Sequence, residues 1–389
     1  MSHWLRSIKI EGYRPFRESD IPLGSLEVIA GANGSGKSSL LEFLRFLRNA
    51  VHSEIPPEIV AGSVGQRIFH AGGPERFRWT LEVDTGYPVP LLYEGELMGP
   101  VGQTHVSRES VKTARPLDEQ YDQPYIYMDI EEREGVVNEE GDLTRQKIAL
   151  KRPNQLALGT MTNPDLGTLY ALRDYIHAWR FYSSFNIDNE AIRQSVPLQQ
   201  DPVLHEDAGN LSSVLHHLMT EHRSAFDELE HYLRMVVPGF EGLSVKARGG
   251  PGEVIAFWKE GGIDDELRLS DLSDGTLRLI CWIALAVQPN PPTLVCIDEP
   301  AQGVHPRTLP VLAGLFEKMA ERTQVLLVTH ASYFLAQFDV SDVAVMRKED
   351  GAAHFLKPED SEALRHNLED FGAQEMETMH RSDELERLA

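Results

Sequence analysis

Cysteine is almost absent from this sequence. Two occur in 389 residues, Cys281 and Cys296, and both sit inside apolar runs. No disulfide framework is expected, and both read as reduced core residues of a cytosolic protein. Basic residues are also scarce: 37 Lys and Arg stand against 60 Asp and Glu, a formal net charge of −23. That balance argues against a surface coated for nucleic acid, although a local basic groove can hide inside it. No stretch approaches the roughly 20 apolar residues of a membrane helix. The N-terminus, M-S-H-W-L-R-S-I-K-I, has no apolar core followed by a small-residue cleavage site, so a cytoplasmic protein is expected. Internal repeats, low-complexity tracts and sustained heptads are missing too, which leaves no basis for a solenoid or a long coiled coil. The acid is concentrated beyond Asp339, and the chain closes E-L-E-R-L-A, as a solvated helix or tail does.

What is present is more specific. Gly31 to Ser38 reads G-A-N-G-S-G-K-S, a complete phosphate-binding loop of the form G-x-x-x-x-G-K-[ST]. The apolar run Ser25 to Ala30 precedes it as a strand. Ser39 to Val51 follows as a helix with Leu40, Phe43, Leu44 and Leu47 on one face. Strand, glycine loop and helix in this order aim backbone N–H groups at phosphates. Asn33, Gly34, Ser35, Gly36, Lys37, Ser38 and Ser39 are therefore the expected nucleotide-binding residues. Lys37 would reach the β/γ-phosphates and the Ser38 hydroxyl would ligate Mg²⁺.

Further along, Phe77 to Val83 and Pro124 to Ile130 alternate as strands do, with Gly, Pro and Asp between them. They indicate an antiparallel β-lobe. Helices are expected over Leu166 to Ala178, Asn210 to Arg223 and Ser224 to Val237, with a strand-like W-R-F-Y at Trp179 to Tyr182. Short strands follow at Leu243 to Ala247, Val254 to Trp258 and Glu266 to Leu269, then a very apolar helix at Leu277 to Val287. The apolar strands Thr293 to Ile297 and Val325 to Thr329 bracket the helix Thr308 to Arg322, the mark of a parallel sheet with covered faces. Strands near Val343 to Met346 and Ala353 to Leu356 would finish it.

A second set of polar residues lies at this end. Leu294 to Glu299 reads L-V-C-I-D-E, a buried strand ending in two carboxylates. Strand ends in open parallel sheets are where ligands bind. Asp298 would hold Mg²⁺, directly or through water, and Glu299 would orient or deprotonate the attacking water. Ser273 to Gly275 (S-D-G) opens the apolar helix, and such a start suits a γ-phosphate. His330 ends the next strand, placed to donate to that phosphate or to the water.

In this order the motifs resemble those of an ABC-type ATPase head: P-loop, signature loop, Walker B and switch histidine. The opening I-K-I-E-G-Y-R-P-F and the stretch D-E-P-A-Q-G-V-H-P (Asp298 to Pro306) are similar to the RecF/SMC branch. More narrowly, with W-R-F-Y-S-S-F and G-N-L-S-S-V-L-H-H-L, the chain resembles the stand-alone RecF-like ATPases of the AAA_21 group. The resemblance implies an α/β fold with a P-loop core sheet, an antiparallel β-lobe and a helical signature lobe. It places the core at residues 1–60 and 239–389, the β-lobe at 61–150 and the helical lobe at 151–238. It also implies a head-to-head homodimer, or a larger assembly, sandwiching ATP and Mg²⁺. The P-loop, Asp298, Glu299 and His330 of one subunit would face Ser273 and Gly275 of the other, and Gly303, Val304 and His305 would cross the interface. Gln155 is the candidate for the glutamine at Mg²⁺ and γ-phosphate, with Gln66 and Gln103 as competitors and a plain loop glutamine as the other reading. Tyr13 or Phe16 would sit by the adenine or in the core. Thr276 after the signature glycine, Ala301 and Gln302 after Pro300, and Ala-Ser-Tyr after His330 depart from the common pattern, leaving every catalytic group in place.

The function these features imply is an ATPase switch in DNA repair or antiphage defence, acting with a separate effector or nuclease. The stretch after His330 is too short for the Toprim nuclease of related proteins. The alternatives are a scaffold that binds ATP and hydrolyses it slowly, and a transporter ATPase subunit. DNA is a possible ligand through Arg67, Arg76, Arg78, Lys151 and Arg152, unless these are scattered solubilising charge. His205, His216, His217, His222 and His231 crowd one region without Cys or a tight H-x-x-x-H repeat, so surface roles are expected rather than a metal site.

Overall fold

The computed structural model describes residues 4–55, 68–86, 89–100, 103–118, 120–140, 145–185, 190–248 and 250–357. Among these, the chain divides into two compact units, one of residues 4–179 and 344–357, the other of residues 180–343. The first unit begins with β1 (Trp4–Tyr13), β2 (Phe16–Pro22), β3 (Leu26–Ala30) and α1 (Lys37–His52). It continues through β4 (Arg76–Asp84), β5 (Leu91–Met98), β6 (His105–Thr113), β7 (Ile126–Glu131), β8 (Glu134–Val137), β9 (Gln146–Ala149) and α2 (Gly167–His177). The second unit holds β10 (Arg180–Ser183), β11 (Val196–Pro197), α3 (Leu211–Glu221), α4 (Arg223–Val236), β12 (Phe240–Ala247), β13 (Glu253–Glu260) and β14 (Leu267–Arg268). Then come α5 (Asp274–Val287), β15 (Leu294–Asp298), α6 (Leu309–Ala320), β16 (Gln324–Val328) and the single turn α7 (Ser332–Leu335). The chain returns to the first unit in β17 (Val343–Glu349) and β18 (Ala352–Leu356).

Eight strands of the first unit form one antiparallel sheet in the order β2-β1-β4-β5-β6-β7-β8-β9. Alternation along β4 explains its two faces: Phe77, Trp79, Leu81 and Val83 are buried, while Arg78 points to water. The buried face packs against α1, whose Phe46 meets Phe77 edge-on at 5.8 Å and Trp79 at 6.3 Å. Tyr13 and Phe16 belong to this core, at 2% and 0% exposure, with Tyr13 against Phe43 and Phe77. Strand β3 is buried along its whole length and neighbours β17, which folds back antiparallel into β18. The β18 backbone is tied to the β1–β2 corner by Ala353 N–H to Pro15 O at 2.7 Å and Ser19 Oγ to Ala353 O at 3.0 Å.

The second unit is built around α5, in which every residue from Leu279 to Val287 is buried. Trp282 packs on Phe185, ring centroids 4.3 Å apart, and edge-on to Phe316 of α6. Strands β10, β15 and β16 run parallel, and α6 connects β15 to β16 as the strand–helix–strand pattern predicts. A small antiparallel sheet of β11, β13 and β12, with β14 on β13, completes the unit. Cys281 and Cys296 are buried and not joined in a disulfide, and burial pushes the Cys281 thiol up, keeping it protonated and inert.

Candidate functional site

The first group of functional residues lies between β3 and α1. The turn requires glycine where it leaves β3: Gly31 has φ 146°, and a Cβ there would lie 2.1 Å from the Met346 carbonyl oxygen. Gly34 and Gly36 also have positive φ. The loop delivers α1 with no side-chain cap and no acidic residue in its first turn, so its leading N–H groups lack an internal acceptor from a cap. Ala32, Asn33, Gly34 and Ser38 are exposed, whereas Lys37 is 7% exposed. Its ammonium donates to Gly31 O at 2.5 Å and Ala32 O at 2.9 Å, with Ser35 Oγ at 3.5 Å.

Gln155 lies in the same unit, half-buried in the loop before a 3₁₀ turn at Leu158–Thr160. Gln103 is exposed, and Gln66 lies outside the described residues. The loop after Gln155 is held by a residue the sequence did not single out. Glu109 of β6 is fully buried and accepts from Ala157 N–H, Leu158 N–H and the Tyr93 hydroxyl. Burial outweighs these three donors and pushes its carboxyl up to about 7. A carboxyl raised above its unfolded value near 4.5 stabilises the fold while protonated, and that contribution is lost as pH rises through about 7. Urea unfolding of wild type and Glu109→Gln should therefore show wild type losing about 3 kcal/mol relative to the variant between pH 4.5 and 7.

The second group belongs to the other unit. Asp298 ends β15, and Glu299 follows with φ 53°, a left-handed conformation that costs a non-glycine residue on the order of 1 kcal/mol. The twist is fixed by Glu299 N–H to Val328 O at 2.9 Å and aims the carboxylate at the end of β16. There Oε1 lies 2.5 Å from His330 Nδ1, and Oε2 accepts from the Thr329 hydroxyl at 3.3 Å. The Glu299 side chain is 21% exposed and that of His330 63%, so the pair has one face to water.

Ser273 caps α5, its Oγ accepting from Thr276 N–H at 3.2 Å. Gly275 fits because a Cβ there would sit 3.0 Å from the Gly303 carbonyl oxygen, so the α5 start and the loop after Glu299 pack backbone on backbone. His305 Nδ1 accepts from Arg307 N–H and caps the turn Pro306–Thr308. Arg193 was not marked by any sequence pattern. Its guanidinium bonds Ser270 O at 3.1 Å and Asp274 Oδ1 at 2.8 Å, bracketing Ser273. Arg193→Ala should loosen this turn by about 1 kcal/mol, read as roughly 5-fold faster amide exchange over Ser273–Leu277. Unchanged exchange would show that Arg193 is a bystander.

The candidate DNA-binding arginines have acidic neighbours. Arg78 pairs with Glu96 and lies 3.9 Å from Glu11, Arg76 is 3.7 Å from Glu96, and Arg152 pairs with Glu54. Lys151 is exposed. Arg67 and the part of the acidic C-terminal stretch from residue 358 on lie outside the described residues. His217 lies 3.7 Å from Asp201 and edge-on to His222. Among the described residues no group of three or more His, Cys, Asp or Glu could hold a metal, and no helix is long and apolar enough to cross a membrane.

Residues 27–336 match the family model AAA_21, described as "AAA domain, putative AbiEii toxin, Type IV TA system". Among solved structures, the chain is similar to an SMC head bound to the C-terminal winged-helix domain of ScpA, with TM-score 0.54 and 12% identity over 91% of this chain and 97% of that one. It is similar to the same extent, TM-score 0.54 and 11% identity, to the SMC head with an extended coiled coil bound to the C-terminal domain of ScpA from Pyrococcus furiosus, covering 91% of this chain and 96% of that one. These likenesses establish the fold of an SMC-type ATPase head. No curated protein matches the sequence.

Proposed function

Because the chain belongs to the AAA_21 family, we propose that it binds and hydrolyses ATP and works as a dimerising switch. The observation that carries this reading is the Glu299–His330 pair at the end of adjacent parallel strands, a carboxylate base oriented by a histidine. Lys37 and the uncapped start of α1 would take the phosphates, with Asn33, Gly34, Ser35, Gly36 and Ser39 around them. Ser38 and Asp298 are hard oxygen donors and fit Mg²⁺, which characteristically uses one or two protein oxygens plus substrate phosphates and waters. Gln155 would join them. Bound Mg²⁺ would neutralise charge on the phosphates. Glu299 would take the proton of the attacking water, and His330 would hold that carboxylate in place. Ser273 and Gly275, with the loop from Gly303 to His305, would meet the nucleotide of a second copy.

In domain terms, residues 1–60 and 239–389 would form the ATPase core, 61–150 the β-lobe and 151–238 the helical lobe. The output would be a changed grip on a separate effector in the cytoplasm, in DNA repair or antiphage defence. The SMC heads seated on ScpA domains support a partner-bound mode, and the toxin–antitoxin description of the family supports the defence role. The acidic partners of Arg76, Arg78 and Arg152 weigh against direct DNA binding there. A slow scaffold is the second reading, favoured by the ammonium of Lys37 resting on its own loop.

The deciding experiment is the solution mass of wild type and Glu299→Gln with and without ATP and Mg²⁺, alongside phosphate release. Nucleotide-driven assembly of the variant, with wild-type phosphate release, supports the switch. A mass indifferent to nucleotide, with no phosphate release from wild type, overturns it.

A further inference from the structure

Gln155 is held between two fixed points of the first unit. On one side, Ile55 N–H donates to Asn154 O at 2.9 Å, and Ile55 follows α1, the helix that begins at Lys37. Val106 N–H of β6 donates to Pro153 O at 2.9 Å. On the other side stands Glu109. Its Oε2 accepts from Ala157 N–H at 2.5 Å and its Oε1 from Leu158 N–H at 3.0 Å and Tyr93 Oη at 2.9 Å. Two consecutive amides on one carboxyl form a two-point grip, which fixes direction as well as distance. The 3₁₀ turn beyond is held in turn by Arg173 Nε to Gly159 O at 3.3 Å.

A carboxyl here is an expensive choice for packing alone. Glu109 has 0% exposure on the inner face of the sheet, where an apolar side chain would fill the same space without desolvation. What an apolar side chain could not do is accept from the amides of Ala157 and Leu158, two and three residues beyond Gln155. We propose that Glu109 is a positioning residue that fixes the Gln155 loop so that this glutamine meets Mg²⁺-bound nucleotide. The proposal rests on the reading of Gln155 as the glutamine at Mg²⁺ and γ-phosphate. Glu109 itself touches neither.

The test compares wild type, Glu109→Gln, Gln155→Ala, their double variant and Tyr93→Phe. The readouts are the Mg²⁺ concentration that gives half-maximal binding of a fluorescent ATP analogue, and unfolding in urea. The amide of Glu109→Gln keeps the shape but turns an NH₂ towards one of the two donors. It should raise the Mg²⁺ requirement about 10-fold, as should Gln155→Ala, and the double variant should be no worse than either, because both remove one unit. Tyr93→Phe loses a buried hydrogen bond and some stability but leaves both amide contacts, so its Mg²⁺ requirement should match wild type. If Gln155→Ala shifts the requirement and Glu109→Gln changes stability alone, Glu109 is structural and the proposal is overturned while the reading of Gln155 stands. If Gln155→Ala shifts nothing, or no ATP analogue binds at any Mg²⁺ concentration, the reading of Gln155 fails and takes the proposal with it.

Discussion

Glu299→Gln is expected to lower ATP turnover by at least about 100-fold while nucleotide binding persists, the range typical of losing a positioned general base. The amide is nearly the shape of the carboxylate, so the fold should survive. The φ of 53° is set by the backbone bond to Val328 rather than by the side chain's charge. What changes is chemistry: Gln can no longer take a proton from water, and it meets His330 Nδ1 as an amide rather than an anion. Single-turnover phosphate release with saturating ATP isolates this step from product loss. A variant that binds ATP and turns over at the wild-type rate would remove Glu299 from the mechanism. One that fails to bind ATP would mean the residue shapes the site instead.

Gly31→Ala should be far more damaging to the fold than Gly34→Ala, although both lie in one loop and both have positive φ. At Gly31 an added Cβ lies 2.1 Å from Met346 O and 3.1 Å from Ser35 Oγ. The severe clash is with backbone, whereas Ser35 Oγ is a side-chain hydroxyl at a milder close contact. Met346 is a backbone position inside β17, paired to Phe355 of β18, and Ser35 is part of the loop itself. At Gly34 a Cβ meets nothing within 4 Å, leaving only the conformational cost of about 1 kcal/mol. Gly31→Ala should therefore cost more than about 3 kcal/mol in urea unfolding and abolish binding of an ATP analogue. Equal stability of the two variants would show that β17 can yield.

The features legible in the sequence are those that chemistry pins to residue types at short spacing. G-A-N-G-S-G-K-S needed no neighbour to be read, and D-E at a strand end and S-D-G at a helix start gained meaning from it. The strands β5 and β6 were less visible, for physical reasons. β5 carries Gly95 where alternation calls for an apolar side chain, and β6 turns Glu109 and Thr113 inward, so a periodicity of apolar residues finds little there. Arg193 was invisible for another reason: two of its acceptors are the backbone carbonyls of Ser270 and Leu272, and carbonyls leave no mark on a sequence. The close backbone approach of Gly275 to Gly303 is of the same kind: the sequence marks each glycine separately, but not that they pack on one another. Tyr13 and Phe16 could have served adenine or core, and their ring contacts and burial assign them to the core.

The resting position of Lys37 changes what nucleotide binding consists of. A long flexible cation reaching into water would lose rotamer freedom on meeting a phosphate, on the order of 2 kcal/mol. Here the ammonium already has Gly31 O and Ala32 O as acceptors, so much of that ordering is complete before any ligand arrives. If Lys37 takes the phosphates as proposed, the encounter would be a trade of neutral carbonyl oxygens for anionic phosphate oxygens around a nearly stationary charge. Such a trade discriminates by the charge of the incoming group, and a neutral ligand of the same shape would have nothing better to give Lys37 than the loop's own backbone.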